Sequence, residues 1–321
     1  MGEPAPPISL RPLGIGEIID RALTIYVRYF AVFTGTMLIV LFLPLGIGQY
    51  LLFADQSEQL KLLTQLLQHP GTTTPPPNPF GDIPFGALIA GGCFLLVAGL
   101  LGPFANNAVA VSVASIYLGR RPSVLGSLAI VFRRWAPLLG LLFVEILLVI
   151  FGYVALVVLF VVLTIPLVAL ATGVQSAILT FFLILLAIAV LLVVFAAAFL
   201  LLIAFTFAGY GLIIEGMGIG AALGSGFQRI FNRAEIWKAL VVGCVATLLA
   251  VGVASISSIG SFLFALLPGA HVLVTVWAAA LSAVSASIQT VFFAIYYYDV
   301  RTRREALDLE VALARLSPAT A

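Results

Sequence analysis

Charge is the scarcest commodity in this chain: 15 Lys and Arg and 13 Asp and Glu serve all 321 residues. Soluble domains carry about a quarter charged residues; here the share is 9%, against 63% hydrophobic. That balance excludes an ordinary soluble globule, which could not hide so much apolar surface, and points to a multi-pass membrane protein. Histidine and cysteine number two each. His69 and His271 have no ligand spacing, and Cys93 and Cys244 sit inside apolar runs without polar neighbours, so they read as small buried hydrophobes. No phosphate-binding loop with its lysine, no HExxH and no GxSxG occurs, and the phrase Gly14-Ile15-Gly16 has no strand before it. The chain is therefore expected to have no catalytic residues, metal site or cofactor, and to bind no nucleic acid.

Long apolar runs are what the sequence has in abundance. Six segments account for them: Phe30–Ala54, Phe85–Leu118, Trp135–Ala169, Gln175–Ile214, Ile236–Leu267 and Val272–Tyr298. Several exceed the ~20 residues that cross a ~30 Å hydrocarbon core, so they must tilt, kink or protrude, and Pro103 and Pro166 are suitable places. The fourth run is long enough for two crossings, but the arginines decide against that. Arg133 and Arg134 precede runs three and four, and Arg229, Arg233 and Lys238 follow them, so only an even number of crossings keeps both clusters on one side. In the six-helix reading fourteen basic residues share one side and Lys61 alone takes the other. Both termini are thus expected in the cytoplasm. The Pro-rich start, MGEPAPPISLRPL, has no basic n-region, and the first span is expected to act as the targeting signal.

The largest outer connection is 55–84. Its first half, QSEQLKLLTQLLQ, spaces Leu60, Leu63 and Leu67 for a helix lying on the outer surface; its second half, HPGTTTPPPNPFGDIP, is expected to be extended or irregular.

An internal repeat organises the chain. LGIGEIIDRALTIYVR, Leu13–Arg28, recurs as MGIGAALGSGFQRIFN, Met217–Asn232, and a looser copy lies at Gly119–Arg133. Glu17, Asp20, Arg21, Thr24 and Arg28 form a polar stripe at steps of three and four along an otherwise apolar helix; Ser225, Gln228, Arg229, Asn232 and Arg233 repeat it. The expected fold is an all-α integral membrane protein: six transmembrane helices in three parallel repeats, each an interfacial amphipathic helix followed by a transmembrane hairpin. The expected boundaries are a cytoplasmic tail at 1–12, one membrane domain at 13–304 with units of about 13–118, 119–216 and 217–304, and a second tail at 305–321. Because each unit crosses twice, all three point the same way, around an axis along the membrane normal. Within the tail, Arg304–Leu316 has the pattern of a partial fourth amphipathic helix.

Three phrases, RPLGIGEIIDRALTIYVRYF at Arg11–Phe30, YLGRRPSV at Tyr117–Val124 and YYYDVRTRREALDLE at Tyr296–Glu310, resemble those of a bacterial family: the membrane domain named after glycerophosphoryl diester phosphodiesterases. The resemblance runs through nearly the whole chain. It implies a multi-helix domain of the bacterial cytoplasmic membrane, without the phosphodiesterase activity, because a catalytic barrel needs about 200 or more further residues.

Candidate sites follow from polar residues in apolar surroundings. Arg21, Arg28, Arg133, Arg134, Arg229 and Arg233 could meet anionic lipid or a partner protein at the cytoplasmic boundary, or simply set the angle of the following span. Glu145 lies about 16 Å beyond Arg134, near mid-membrane. It is either a proton or cation site, or a protonated carboxyl hydrogen-bonded to a neighbouring helix, the second being favoured. Asn106 and Asn107 follow Pro103 and are expected to bond backbone groups loosened by it, with a hydrated cavity as the alternative. The serine-rich stretches 254–261 and 282–287 are expected to let the last two helices pack closely, with a polar lining as the alternative. Tyr296, Tyr297 and Tyr298 are expected to form an aromatic belt at the membrane interface. The function these features favour is non-catalytic organisation of membrane lipid or a membrane or cytoplasmic protein partner. The alternative is a small transporter or channel through Glu145, Asn106 and Asn107.

Overall fold

A computed structural model describes residues 11–68, 85–173, 177–265, 267 and 270–305. Among them every regular element is helical. Short and long helices alternate as short, long, long, three times over: α1 (Ile15–Arg28), α2 (Phe30–Gln68), α3 (Phe85–Tyr117); α4 (Val124–Arg133), α5 (Trp135–Gly173), α6 (Ala177–Tyr210); α7 (Ile219–Ile230), α8 (Ile236–Ala265), α9 (His271–Glu305). A π-helical turn, Gly211–Glu215, extends α6. The six long helices are each long and apolar enough to cross a membrane. The outer-surface helix expected after Asp55 is not a separate element: α2 runs unbroken to Gln68, since nothing in QSEQLKLLTQLLQ interrupts a helix. The Pro-rich half of that connection, and all of the C-terminal tail beyond Glu305, lie outside the described residues.

The short helices begin and end for local reasons. Gly14 and Gly218 occupy the caps of α1 and α7 with nearly the same extended backbone, φ −69°, ψ 163° and φ −73°, ψ 161°. At α1 the Glu17 carboxylate accepts the Gly14 N–H at 2.9 Å, which satisfies one of the amides a helix start leaves over. Tyr29 leaves helical geometry at φ −116°, ψ 25°, and α2 starts at the next residue. The preceding long helices end on Gly119 and Gly216, both left-handed, at φ 71° and 76°, a conformation that costs glycine nothing.

The faces buried by the short helices correspond. α1 buries Ile18, Ala22, Ile25 and Tyr26; α7 buries Ala222, Gly226, Arg229 and Ile230, the same four positions at the offset of 204. α4 buries Ser127, Leu128 and Val131, of which Ser127 and Val131 match Ala22 and Tyr26 at the offset of 105. The partners also follow one rule. α4 packs on α3 and α7 on α6, each on the long helix just before it, whereas α1 packs on α9, the last of the chain.

The chain forms two compact units: Met1–Arg133 with Cys244–Ala321, and Arg134–Gly243. In the first, α2 packs most extensively against α3 and α9. Gly48 and Gly91 lie at the α2–α3 crossing; a Cβ on Gly48 would come within 3.2 Å of the Gly91 carbonyl, and one on Gly91 within 3.1 Å of the Gly48 carbonyl. α9 is buried on every side from Val291 to Val300. Tyr296 and Tyr297 are 0% exposed and Tyr298 7%, so the expected lipid-facing aromatic belt is corrected: these rings are core of the unit. Three consecutive side chains cover all sides of a helix, and a helix buried all round belongs inside.

α8 and α9 meet along the serine-rich stretches and also leave a space between them that serines line, so packing and polar lining both occur. Trp277 of α9 wedges between them, its ring occupying the space where Gly260 of α8 lacks a Cβ and its Nε1 donating to the Ser257 carbonyl at 3.1 Å. Ser285 Oγ reaches the Ala250 carbonyl at 2.9 Å and Gln289 Nε2 reaches Thr247 Oγ1 at 3.2 Å, so polar side chains bridge the gap.

Candidate functional site

The end of the first unit that holds α1 is built by residues far apart in sequence. Asp299, 2% exposed near the end of α9, accepts the Leu13 backbone N–H at 2.6 Å and the Arg303 Nε at 3.1 Å, while the Arg303 guanidinium donates to the Leu13 carbonyl. Arg21 of α1 hydrogen-bonds the Tyr117 hydroxyl at the end of α3. The Tyr117 ring lies 4.9 Å from that of Tyr298. Lower on α1, the Tyr26 hydroxyl meets Ser287 Oγ of α9 at 2.9 Å and Thr34 Oγ1 of α2 at 3.2 Å. Burial pushes the Tyr26 phenol above its ordinary 10.0, with the Ser287 and Thr34 contacts opposing. All three phrases that carry the family resemblance supply residues to this cluster.

In the second unit α7 is held by an ion pair. Arg229 sends Nη1 to Glu215 Oε1 at 2.8 Å and Nη2 to Oε2 at 2.9 Å, a parallel two-bond geometry with both side chains nearly buried. Arg134 Nη1 donates to the Leu212 carbonyl at 2.9 Å in the π-helical turn, where the i→i+4 ladder is broken. Gly216 leaves room for that guanidinium, which lies 3.1 Å from where a Cβ would stand.

The six arginines therefore divide. Arg229 is turned into the protein, which corrects its expected place towards lipid phosphate: a buried guanidinium needs a fixed counter-charge, and Glu215 supplies it. Arg21 and Arg134 are committed to Tyr117 and Leu212. Arg28, Arg133 and Arg233 are exposed at or just past the ends of α1, α4 and α7. Arg28 lies 5.6 Å from the Tyr29 ring centre. Beside them Leu23, Val27 and Phe132 are exposed apolar side chains.

Of the three intramembrane candidates, Asn106 and Asn107 belong to the first unit and Glu145 to the second. Asn107 Nδ2 donates to the Pro103 carbonyl at 2.8 Å, and Asn106 Oδ1 accepts Thr290 Oγ1 of α9 at 3.0 Å. The first bond is local to the proline turn, although the carbonyl that Pro103 itself leaves without a donor is four residues earlier, at Gly99. The second joins two helices. Glu145 is half-buried, and its Oε1 is shielded without a hydrogen-bond partner, so the interhelical bond expected there is not made by this atom.

A polar cavity of about 610 Å³ lies in the first unit between α2, α8 and α9. Its wall includes Gln49, Ser257, Ser258, Ser261, Ser282 and Gln289, and none of Asn106, Asn107 or Glu145. The sequence reading passed over Gln49, Thr34, Glu215 and Asp299. A glutamine inside an apolar run is the one local signal that could have pointed to Gln49. The others are ordinary residues whose partners lie on distant elements. No protein-family model matches this chain, and no curated protein or solved structure is detectably similar to it.

Proposed function

We propose that this chain is a non-catalytic membrane protein, assembled from three copies of a short-helix-plus-hairpin unit, that organises anionic lipid or a partner protein at its arginine-bearing side. Three points support the threefold repeat: the matching buried positions of α1, α4 and α7, the cap geometry shared by α1 and α7, and the docking of α4 and of α7 on the second span before each. α1, with no span before it, docks on α9. Kinship to the bacterial membrane-domain family rests on the three sequence phrases at Arg11–Phe30, Tyr117–Val124 and Tyr296–Glu310. Both termini are assigned to the cytoplasmic side of the bacterial inner membrane; a phosphatase reporter that is active only outside the cytoplasm should be inactive when fused after Ala321, and an active fusion would refute the assignment.

The observation that carries the functional reading is the division among the arginines. Arg21 and Arg229 are turned into the protein and Arg134, though exposed, is bonded to the Leu212 carbonyl, while Arg28, Arg133 and Arg233 are exposed beside apolar side chains. Each exposed arginine near an anionic surface contributes about 1 kcal/mol. Native mass spectrometry of the full chain from mixed phosphatidylglycerol and phosphatidylethanolamine nanodiscs tests this. Wild type should retain phosphatidylglycerol preferentially, and the combined Arg28→Gln, Arg133→Gln, Arg233→Gln variant should lose that preference. An unchanged preference in a folded variant would sink the lipid reading.

The second reading, transport, rests on the shielded, unpartnered Oε1 of Glu145. It requires proton or solute flux in reconstituted vesicles that Glu145→Gln abolishes.

A further inference from the structure

We propose that the cavity between α2, α8 and α9 binds an uncharged, hydroxyl-rich molecule, independently of how the arginines act. Its volume, about 610 Å³, falls within the roughly 300–1,000 Å³ of small-molecule sites. It extends along α9 from Val274 to Gln289, about 22 Å at the helical rise, beginning near the end of the unit opposite α1.

The wall chemistry selects the ligand. No charged residue lines the cavity, so an ion entering from water would lose its hydration without a counter-charge. The polar groups are committed in one sense. Ser258 donates to the Ala254 carbonyl at 3.1 Å, Ser282 to Ala278 at 2.7 Å and Ser285 to Ala250 at 2.9 Å, which spends each hydroxyl proton on backbone. Gln289 spends an amide proton on Thr247. These groups retain acceptor capacity in the hydroxyl lone pairs and the Gln289 carbonyl oxygen, while the Ser257 and Ser261 hydroxyls, the second Gln289 amide proton and the Gln49 amide offer donors. Gln49 Oε1 is shielded and has no partner, a state that costs about 1–3 kcal/mol until a turn of the side chain brings it to a donor. A wall that offers acceptors and donors and carries no charge fits a neutral hydroxyl-rich ligand, whose O–H groups both donate and accept. Trp277 is seated in the notch at Gly260 and bonded to the Ser257 carbonyl beside the cavity, so the protein's own packing bounds the space.

Such a ligand could be a free sugar or polyol, or the headgroup of a glycolipid. The full chain in nanodiscs should be titrated with glucose, inositol and monoglucosyl diacylglycerol, with ammonium and sodium as competitors. Binding of a free compound identifies a solute site, and binding of the glycolipid alone identifies a headgroup site; either supports the proposal. Gln49→Leu should weaken that binding about tenfold while leaving the unfolding midpoint equal or higher, because it removes an unsatisfied acceptor. Ser261→Phe, which fills the cavity, should abolish binding. The proposal is overturned if none of the three compounds binds wild type, if ammonium or sodium displaces them at equal concentration, or if Gln49→Leu binds as wild type does.

Discussion

Asp299 accepts the backbone N–H of Leu13 at 2.6 Å although 286 positions separate them, and the same carboxylate holds Arg303, which itself donates to the Leu13 carbonyl. One buried acid thus fixes both backbone groups of the residue at which the chain turns into α1.

Replacing that acid should release the start of α1. Asp299→Ala leaves the Leu13 amide and the Arg303 guanidinium without their acceptor, at an expected cost of about 2–3 kcal/mol. A lower unfolding midpoint in mild detergent, with faster tryptic cleavage at Arg11 and Arg21, is the expected result. Asp299→Asn, which still accepts the Leu13 N–H, should fall between.

The Arg229–Glu215 pair should behave as a buried ion pair does. Removing one member strands the other, and Arg229→Met or Glu215→Leu alone should each cost about 3–5 kcal/mol. The double replacement should recover most of that loss, because no uncompensated charge remains. Unfolding midpoints of the four proteins in a double-mutant cycle check this; additive losses would show that the pair is not coupled.

Two glycines of α7 should respond in opposite directions. A Cβ on Gly226 would stand 2.3 Å from the Ala204 carbonyl oxygen and 3.0 Å from the Ala208 nitrogen, so Gly226→Ala must push α7 away from α6 at about 2 kcal/mol or more. At Gly224 a Cβ meets nothing within 4 Å, and Gly224→Ala should stabilise by up to ~1 kcal/mol through helix propensity. Thermal unfolding of the two variants side by side settles the contrast.

Acid should loosen the cap of α1. The Gly14 N–H, then Arg11 and Arg21, hold the Glu17 carboxyl below its ordinary 4.5. A value depressed by folding makes the contribution present above the unfolded value and lost as pH falls through the lower folded one. The Gly14 amide resonance should therefore titrate below pH 4.5 in wild type and stay constant in Glu17→Gln.

Much of the architecture was legible because it depends on sums over neighbouring residues. Six apolar runs became six long helices, and Ile18, Ala22, Ile25 and Tyr26 fall on one buried face at the spacing a helix imposes. The bend at Tyr29 and that at Arg134 stand 105 residues apart, the offset at which the sequence repeats. The sites were less legible. Tyr296–Tyr298 carry the local signature of a membrane border, yet α9 is surrounded there. Arg229 looked like its exposed counterparts until Glu215 was found opposite it.

The six helices of membrane-spanning length, the short helices and the side expected to hold the arginines follow from the sequence alone, since hydropathy, helical period and charge bias act locally along the chain. Tertiary structure alone decided that α1 docks on α9, that Arg229 is a structural ion pair, and that the serines of α8 and α9 line a cavity as well as bonding across the helix pair. The physical reason is the same in each case. A serine-rich face is compatible with contact or with a gap, and an arginine with lipid or with a buried acid; only the position of Trp277, Glu215 or Asp299, brought in from elsewhere in the chain, selects between them.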